Sequence, residues 1–439
     1  MTESSAGRDP LAPGRILPQL DASSMPPARL AVPGSVGRPQ PDSASVARLA
    51  VDGSCAVIDP APPRTLLEAI KEPLGDPQGA HDQMMPDCWL QKAEPVIIPS
   101  LWMLERAHVF GGRITARSIE SCEAGAPVEG HNGGQLLLTA DGAMIPASYG
   151  VLDGNNSIAT DYLTLTPAGL QLKQAPDSRE LKGSYYFLGN VHRHFGHNLV
   201  EGVSRAWALD LMNDALRSEI NFLVFEPDLA DHSVALLELA GVPKERITHA
   251  SAHDVVEHLI VPDMAMRTHR WITRLQEKVW RTMAANSQPA TPYRKVYLSR
   301  SAHGQRPLTN EADVEAYFQT AGYEIVQPEK LPVHEQVRLA AESVSLAGCV
   351  GSQMYLAAFQ LPGAHNLVVG PRNFYLKDDV LIHQTTGARL EVVLGSPIDL
   401  TASKYDRAWG VSVADVDKAM SAVNKTLSAR VARIIAPVA

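Results

Sequence analysis

The spacing of apolar positions changes from strand-like to helix-like near the middle of the chain. Residues 185–188 are Tyr, Tyr, Phe and Leu, a run suited to a short buried strand that ends at Gly189 and Asn190. The apolar residues that follow recur three or four apart, as on one face of a helix: Leu199, Val203, Ala206, Trp207 and Leu211. The pattern predicts a strand-to-helix junction, and α/β proteins commonly bind ligands at such junctions.

Beyond this junction, strand-like and helix-like segments alternate in two blocks. The first block predicts strands at 220–226, 245–250 and 258–262, with helices at 231–242 and 271–285. The second predicts strands at 295–300, 324–327, 344–348 and 365–370, with helices at 309–323, 333–343 and after residue 351. Alternation of this kind indicates parallel sheets covered by helices.

The outer segments follow different patterns. Residues 1–66 hold eleven of the 32 prolines and predict a flexible leader. Between about 90 and 150 the pattern is β-rich, with a hairpin turn at Asp141-Gly142, and an amphipathic helix is expected from Val413 to Ile435. We therefore divide the chain into a leader, an α/β domain with the β-rich subregion, a second α/β domain and a C-terminal segment: 1–66, 67–287, 288–400 and 401–439.

Composition narrows the class of protein. The net charge of -9 argues against a nucleic-acid-binding surface. Four scattered cysteines suggest neither a disulfide framework nor a zinc knuckle: Cys55, Cys88, Cys122 and Cys349. The N-terminus lacks the apolar core of a secretory signal, and polar residues interrupt the longest uncharged stretch, 343–371, too often for a bilayer span. We expect a cytoplasmic protein without a transmembrane segment, compatible with peripheral association with a membrane.

Titratable residues are concentrated at the junction: His192, His194, His197, Glu201 and Arg205. The last three lie four residues apart, so on a regular helix they form one polar stripe. An ordinary surface ion pair beside solvated histidines would give the same pattern. The residues alone leave both interpretations open.

Two further groups follow predicted strands of the second block. Gly351 and Ser352 begin a helix, where backbone N–H groups bind phosphate and glycine permits close approach. Arg300, Ser301 and Arg306 follow a strand of the same predicted sheet, and an arginine fork suits a diphosphate. A tight turn made for packing and arginines paired with surface carboxylates are the alternative interpretations.

The segment H-R-H-F-G-H also resembles the H-x-H-x-D-H zinc signature of metallo-β-lactamase-like hydrolases. Gly196 stands where that signature has its aspartate. Zinc sites use three or four ligands. A zinc-dependent hydrolase is therefore a less favoured alternative.

Taken in order, the motifs resemble the glycosyltransferase family 61 pattern, which also occurs in capsular-polysaccharide biosynthesis proteins. Residues 194–209 resemble its H-[FW]-x-x-E/D region, and residues 295–311 its Y-x-S-R … R-x-x-x-N-E region. Residues 329–343 resemble its L-x-x-x-E-Q-[IV] helix, and residues 346–359 its G-x-H-G-[AS]-x-L-x-N turn. Residues 135–148 add a weaker upstream hairpin. The resemblance covers roughly residues 100–400.

The resemblance implies a GT-B-like α/β fold, with two Rossmann-like domains facing a central cleft, and inverting transfer of a sugar from a nucleotide sugar to a glycan or polysaccharide hydroxyl. Neither a metal nor another cofactor is expected. His197 is implied as the base, alone or with Glu201, because imidazole exchanges protons near neutral pH. The implied donor-binding residues are Arg300, Ser301, Arg306, Asn310, Glu335, Gly351, Ser352 and Gln353. The implied acceptor-side or supporting residues are His192, His194 and Arg205.

Three departures from the family pattern support a different class of function. Val350 replaces a histidine, Gln353 occupies a small-residue position, and residues 355–359 lack the usual asparagine. The alternative is a non-catalytic protein that binds a glycan or a nucleotide on a degenerate transferase fold.

Overall fold

The structure is a computed structural model that describes residues 100–117, 133–145, 175 and 177–435. Within the last range it omits residues 192, 227, 269–270, 373, 375–376, 399–401 and 403–405, and it also describes five short strands: 45–48, 57–58, 157–159, 163–166 and 169–172. Most of the predicted leader, and parts of the region between about 90 and 150 that is predicted to be β-rich, lie outside the described residues.

The strands are β1 Ser45–Arg48, β2 Val57–Ile58, β3 Ser100–Arg117, β4 Gly133–Leu138, β5 Ser157–Ala159, β6 Leu163–Thr166, β7 Gly169–Leu172, β8 Arg179–Gly189, β9 Asn221–Val224, β10 Ile247–His249, β11 Asp254–Pro262, β12 Met266–Arg267, β13 Trp271–Thr273, β14 Arg294–Leu298, β15 Glu324–Val326, β16 Ser343–Cys349, β17 His365–Pro371, β18 Arg389–Pro397 and β19 Trp409–Gly410. The α-helices are α1 Phe195–His197, α2 Asp214–Glu219, α3 Asp231–Leu239, α4 Arg274–Asn286, α5 Glu311–Thr320, α6 Val333–Ala341, α7 Lys377–Thr386 and α8 Val413–Ile435. A π-helix spans Asn198–Gly202, and 3-10 helices span Ala206–Leu211, Lys244–Arg246, Pro328–Lys330 and Ser352–Phe359.

The first sheet joins a parallel half to an antiparallel half. Its parallel strands run in the order β10-β9-β8-β11, and β11 pairs antiparallel with β3. The residues at 185–188 are buried in β8, as their continuous apolar pattern predicts for a central strand. Strand β3 also pairs antiparallel with β4 and with β5, and the sheet continues from β5 through β6 to β7, again antiparallel. The predicted β-rich subregion is therefore an extension of this sheet.

The Asp141-Gly142 hairpin is confirmed. Gly142 has a φ of 79°, a left-handed conformation that glycine adopts without steric cost. The backbone N–H of Thr139 donates to the carbonyl oxygen of Ala143 at 2.9 Å, which closes the turn after β4. The turn returns the chain to β4 through a bridge between Leu138 and Met144.

The second sheet confirms the alternating pattern of the second block. Strands β15-β14-β16-β17-β18 are all parallel in that order, and β19 pairs antiparallel with β18. Leu298 of β14 lies beside Gly348 of β16, so these two strands end side by side. The predicted C-terminal helix is confirmed as α8, whose apolar residues Val416, Met420 and Val423 pack on the outer face of the sheet.

One apolar core connects the two α/β blocks. It includes Leu236 and Val279 from the helices of the first block and Val337 and Leu356 from helices of the second. The indole of Trp280 on α4 donates to the carbonyl oxygen of Leu199 at 3.1 Å. The same helix carries Arg281, which donates to the carbonyl oxygen of Gln360. Helix α4 therefore packs against both blocks, and the division at residue 288 stays a prediction.

The predicted regular helix after the junction is wrong. The chain forms a single α-turn, then the π-helix, and then a 3-10 helix that begins at Ala206. Gly202 allows this change because it has no side chain. A Cβ at residue 202 would lie 2.8 Å from Cγ of the buried Asn198, which is too close for two carbon atoms. Arg205 consequently leaves the predicted polar stripe. It is 2% exposed, lies over the ring of Phe187 and donates to the carbonyl oxygen of Pro262.

Across the described helices, no segment combines the length and the apolar character needed to cross a bilayer.

Two histidines meet where β3 approaches the start of β11. Nδ1 of His108 lies 3.1 Å from Nε2 of His253, and the ring of His253 stacks on Phe110 with centroids 4.4 Å apart. Burial, together with His253, lowers the pKa of His108 to about 4. Arg106 lowers this pKa as well, whereas a hydrogen bond from the His108 ring to the backbone at Ala140 and the charge of Glu180 raise it. His108 is therefore neutral in the folded protein at neutral pH.

We predict that His108 makes unfolding depend on pH between about 6.5 and 4. Because its pKa is lowered to about 4 by folding, the unfolded chain binds a proton in this window that the folded chain does not. The stability that depends on the neutral imidazole is therefore lost as pH falls through it. His108→Gln should therefore reduce the slope of the free energy of unfolding against pH by up to about 1.4 kcal/mol per pH unit. Urea unfolding of both proteins at pH 7, 5.5 and 4.5 measures this, and parallel curves would contradict it.

Candidate functional site

A cleft of about 560 Å³ opens where parallel strands of both sheets end. Each lining residue follows the carboxyl end of β8, β9, β14, β15 or β16. Ligands of open α/β sheets bind at such edges. The lining residues are His194, Phe195, Asp231, His232, Ala235, Ser299, Arg300, His303, Gln305, Arg306, Pro328, Glu329, Leu331, Pro332, Val333, His334, Gln336, Ser352 and Gln353.

The first sheet provides the wall that carries His194, Phe195 and His232. The rings of Phe195 and His232 meet edge to face, with centroids 6.0 Å apart. His232 lies in the first turn of α3, and burial lowers its pKa. This wall is therefore largely aromatic, with Asp231 as its acidic member.

The two walls touch at Gly196. An added Cβ at this position would lie 2.8 Å from Cβ of Ser352, closer than carbon atoms pack. Helix α1 can therefore approach the turn after β16 only because residue 196 has no side chain. Gly196, which departs from the zinc-hydrolase signature, has a structural role in bringing the two halves of the site together.

Arg300 lies at the centre of the opposite wall. Its Nη1 donates to Oε1 of Gln353 at 3.0 Å, and its Nη2 donates to the carbonyl oxygen of Gln305 at 3.1 Å. Its backbone N–H donates to Oε1 of Glu311 at 2.6 Å. Burial lowers the pKa of Arg300, whereas Glu311 and Glu329 raise it. These contacts hold a guanidinium group in this wall of the cleft.

Gly351 lets this guanidinium group reach the turn after β16. Its φ of 150° lies outside the conformations that other residues favour. An added Cβ would lie 2.7 Å from Nη1 of Arg300 and 3.0 Å from Oε1 of Gln353. Gln353 is held in turn by its Nε2, which donates to the carbonyl oxygen of Cys349 at 2.7 Å. The structure thus brings Arg300 and the Gly351–Gln353 turn together, and donor binding by these residues stays a prediction.

His197 and Glu201 form a pair beside the cleft. Nδ1 of His197 lies 3.1 Å from Oε2 of Glu201, and the backbone N–H of Thr268 donates to Oε1 of the same carboxylate at 3.2 Å. The His197 side chain is 34% exposed and that of Glu201 is 7% exposed. The ring of His197 also meets the ring of His194 edge to face at 5.3 Å. The carboxylate is in a position to orient the imidazole, and His194 connects the pair to the cleft.

The structure separates the other predicted site residues. Arg306 lines the cleft, and Ser301 lies beside it, accepting a hydrogen bond from Nε2 of Gln327 at 2.8 Å. Asn310 instead donates to the carbonyl oxygen of Val411 at 2.9 Å, away from the lining residues.

Glu335 lies in the first turn of α6, between two lining residues, and is not itself part of the lining. Arg205 is buried behind the first wall. His192 lies outside the described residues.

Several lining residues were not predicted from the sequence: His232, His303, Glu329, His334 and Gln336. All of them follow a strand that the apolar pattern predicted. Their position at the carboxyl ends of parallel strands was the available signal. Only the order of the strands, which brings β9 and β15 to the same cleft as β14, was missing.

Among the residues that the structure describes, we find no group of three or more His, Cys, Asp or Glu side chains placed to hold a metal ion. The zinc interpretation also involves His192, which is not described.

Comparison with known families identifies one match. Residues 195–367 match the sequence model of the family Glycosyltransferase 61. This range includes α1, the His197–Glu201 pair and the strand ends that carry Arg300 and Gly351. A search of curated proteins gives no match.

We predict that Gly196→Ala separates the two walls. The added methyl group would overlap Ser352, and overpacking of this kind costs about 1–3 kcal/mol of stability. The double variant Gly196→Ala/Ser352→Gly should recover most of the loss, since the nearest remaining atom is Cα of residue 352 at 3.4 Å. Urea unfolding measures both effects. A stable single variant, or a double variant without recovery, would contradict the predicted contact.

Proposed function

We propose that this chain, whose residues 195–367 form a glycosyltransferase family 61 domain, is an inverting glycosyltransferase with a GT-B-like arrangement. In this proposal the donor is a nucleotide sugar, and the acceptor is a hydroxyl group of a glycan or polysaccharide such as a capsule. A cytoplasmic location, where such donors are made, belongs to the same proposal.

The observation that carries the proposal is the convergence of Arg300 with the Gly351–Gln353 turn. Two adjacent parallel strands, β14 and β16, end side by side and deliver a guanidinium group and a close backbone turn to one cleft. A departing nucleoside diphosphate requires stabilisation of negative charge, and preorganised donors provide it. Arg300 supplies charge-assisted hydrogen bonds, and Arg306 lines the same wall.

The cleft also offers a surface for the uncharged parts of a donor. Ala235, Leu331, Pro332 and Val333 line it on the side of α3 and α6. Ligand pockets typically combine an apolar lining with a few polar groups that fix orientation. A nucleotide sugar matches this combination of a charged wall and an apolar wall. Its diphosphate would lie beside Arg300, and its rings would lie toward α6.

In the proposed reaction, His197 removes the proton of the acceptor hydroxyl group. The acceptor oxygen then forms a bond to the anomeric carbon from the face opposite the leaving group, while the bond from that carbon to the diphosphate oxygen breaks. The bond electrons leave with the nucleoside diphosphate, and the configuration is inverted. Glu201 orients the imidazole through the 3.1 Å contact and stabilises its protonated form.

The arginines provide the reason for expecting activity without a divalent metal. A metal in a transferase would neutralise the diphosphate, and two guanidinium groups on one wall can perform the same task. Metal independence is thus part of the proposal, and an assay with and without a chelator tests it.

The alternative function is binding of a nucleotide or glycan without turnover. Gln353 supports this alternative, since it occupies a small-residue position of the family pattern and forms a hydrogen bond with Arg300. The paired His197 and Glu201 favour the enzyme, because binding alone does not require an oriented base. Release of free nucleotide from a nucleotide sugar in the presence of acceptor separates the two functions.

We predict that Arg300→Ala weakens binding of nucleoside diphosphates. Loss of charge-assisted hydrogen bonds costs roughly 1.5–3 kcal/mol, which corresponds to about ten- to a hundredfold in Kd. Calorimetry with UDP, GDP and ADP measures this. Arg193→Ala is the matched control, because Arg193 forms an exposed ion pair with Asp228 and is not a lining residue. Unchanged affinity in the Arg300 variant, with folding intact, would place the nucleotide elsewhere.

We predict that His197→Ala lowers turnover by about 10²–10⁴-fold with folding preserved, as expected for loss of a general base. Glu201→Gln should retain donor affinity but also lower kcat, because the orienting carboxylate is lost. Nucleotide release and the anomeric configuration of the product, followed by NMR with EDTA present, provide the measurement. Near-normal kcat in both variants would exclude this pair as the base, and a retained configuration would contradict inversion.

A further inference from the structure

Phe374 contacts Arg306 from outside the cleft. The guanidinium carbon of Arg306 lies 4.2 Å from the centroid of the Phe374 ring, within the range of a cation–π interaction. Phe374 is 4% exposed and belongs to the apolar core. It follows β17, whereas Arg306 follows β14, and β16 lies between these strands. The contact therefore spans the end of β16, where the Gly351–Gln353 turn begins.

The backbone of Arg306 is held in an unfavourable conformation. Its φ is 49°, in the left-handed region that residues with a Cβ rarely adopt. The indole of Trp409 donates to the carbonyl oxygen of Arg306 at 2.9 Å, and the backbone N–H of Trp409 donates to the carbonyl oxygen of Pro307 at 3.1 Å. A strained conformation persists only where the surroundings fix it, and such residues are concentrated at functional sites.

We propose that Phe374 is a positioning residue that holds the guanidinium group of Arg306 over the diphosphate site, with Trp409 fixing the backbone. This inference rests on the proposed function and extends it. Neither Phe374 nor Trp409 lines the cleft, so both act through Arg306.

The physical reason is the freedom of the arginine side chain. Ordering a rotamer-rich side chain when a ligand binds lowers affinity, and holding it beforehand removes that loss. A ring stacked on the face of a guanidinium group leaves its N–H donors directed within the plane, where phosphate oxygens accept them. Phe374 thus orders Arg306 without competing for its hydrogen bonds.

The test measures binding of UDP, GDP and ADP by calorimetry, and donor KM and kcat, in variants of the full chain. Phe374→Leu should weaken binding of the preferred diphosphate by about two- to thirtyfold, the range of a cation–π contact. It should raise donor KM more than it lowers kcat. Phe374→Tyr keeps the ring and should restore affinity. In the background of Arg306→Ala, Phe374→Leu should cause no further loss.

Phe318→Leu is the matched control, because it removes a buried ring that packs on Tyr297 behind the same sheet. It should leave affinity unchanged. Trp409→Phe provides an independent arm if Phe374→Leu does not fold, since it removes the indole donor and should also weaken binding.

Three results would overturn the inference. The first is that Arg306→Ala loses affinity while Phe374→Leu binds like the wild type. If Phe374→Leu does not fold, Trp409→Phe takes its place in this comparison. The second is equal loss in the Phe374 and Phe318 variants. The third is loss in Arg300→Ala without loss in Arg306→Ala, which would leave the proposed function standing. Unchanged binding in both arginine variants would instead remove the proposed donor site itself.

Discussion

The arrangement of the site depends on the close approach of Gly196 to Ser352. These residues follow strands of different sheets, and their contact leaves too little space for a Cβ at position 196. The one-turn helix α1 thereby places His194 and Phe195 on the cleft opposite Arg300. A larger separation would move His194, Asp231 and His232 away from the wall that carries Arg300. The contact is thus a steric requirement met by one missing side chain.

Buried carboxylates and amides then fix the positive wall. Glu311 accepts the backbone N–H of Arg300, and Gln353 accepts one of its guanidinium N–H groups. Burial raises the pKa of Glu311, and the charges of Glu315 and Glu329 raise it further, whereas the backbone N–H and the charge of Arg300 lower it. A half-buried cation such as Arg300 benefits from these partners, because an uncompensated charge shielded from water is costly. Arg300 is therefore held before any ligand arrives, which is the condition for electrostatic preorganisation.

Much of the parallel architecture could be predicted from the sequence. The apolar run at 185–188 and the alternation after residue 219 correspond to buried strands, since period and burial are local properties. The convergence of Arg300 and Gly351 followed from one rule about strand ends. The break after His197 could not be predicted, because Leu199 and Val203 keep a helical spacing while the backbone forms a π-helix and then a 3-10 helix. That change depends on Asn198 and Gly202 sharing one small space.

The histidines show where local pattern stops being informative. His194 and His197 are three residues apart, yet one lines the cleft and the other pairs with Glu201 beside it. Their different surroundings arise from tertiary contacts: Thr268 donates to the same carboxylate, and the turn after β16 packs against the segment between the two rings. A sequence can place several histidines at a strand end. The opposing wall decides which one lines the cleft and which one pairs with a carboxylate beside it.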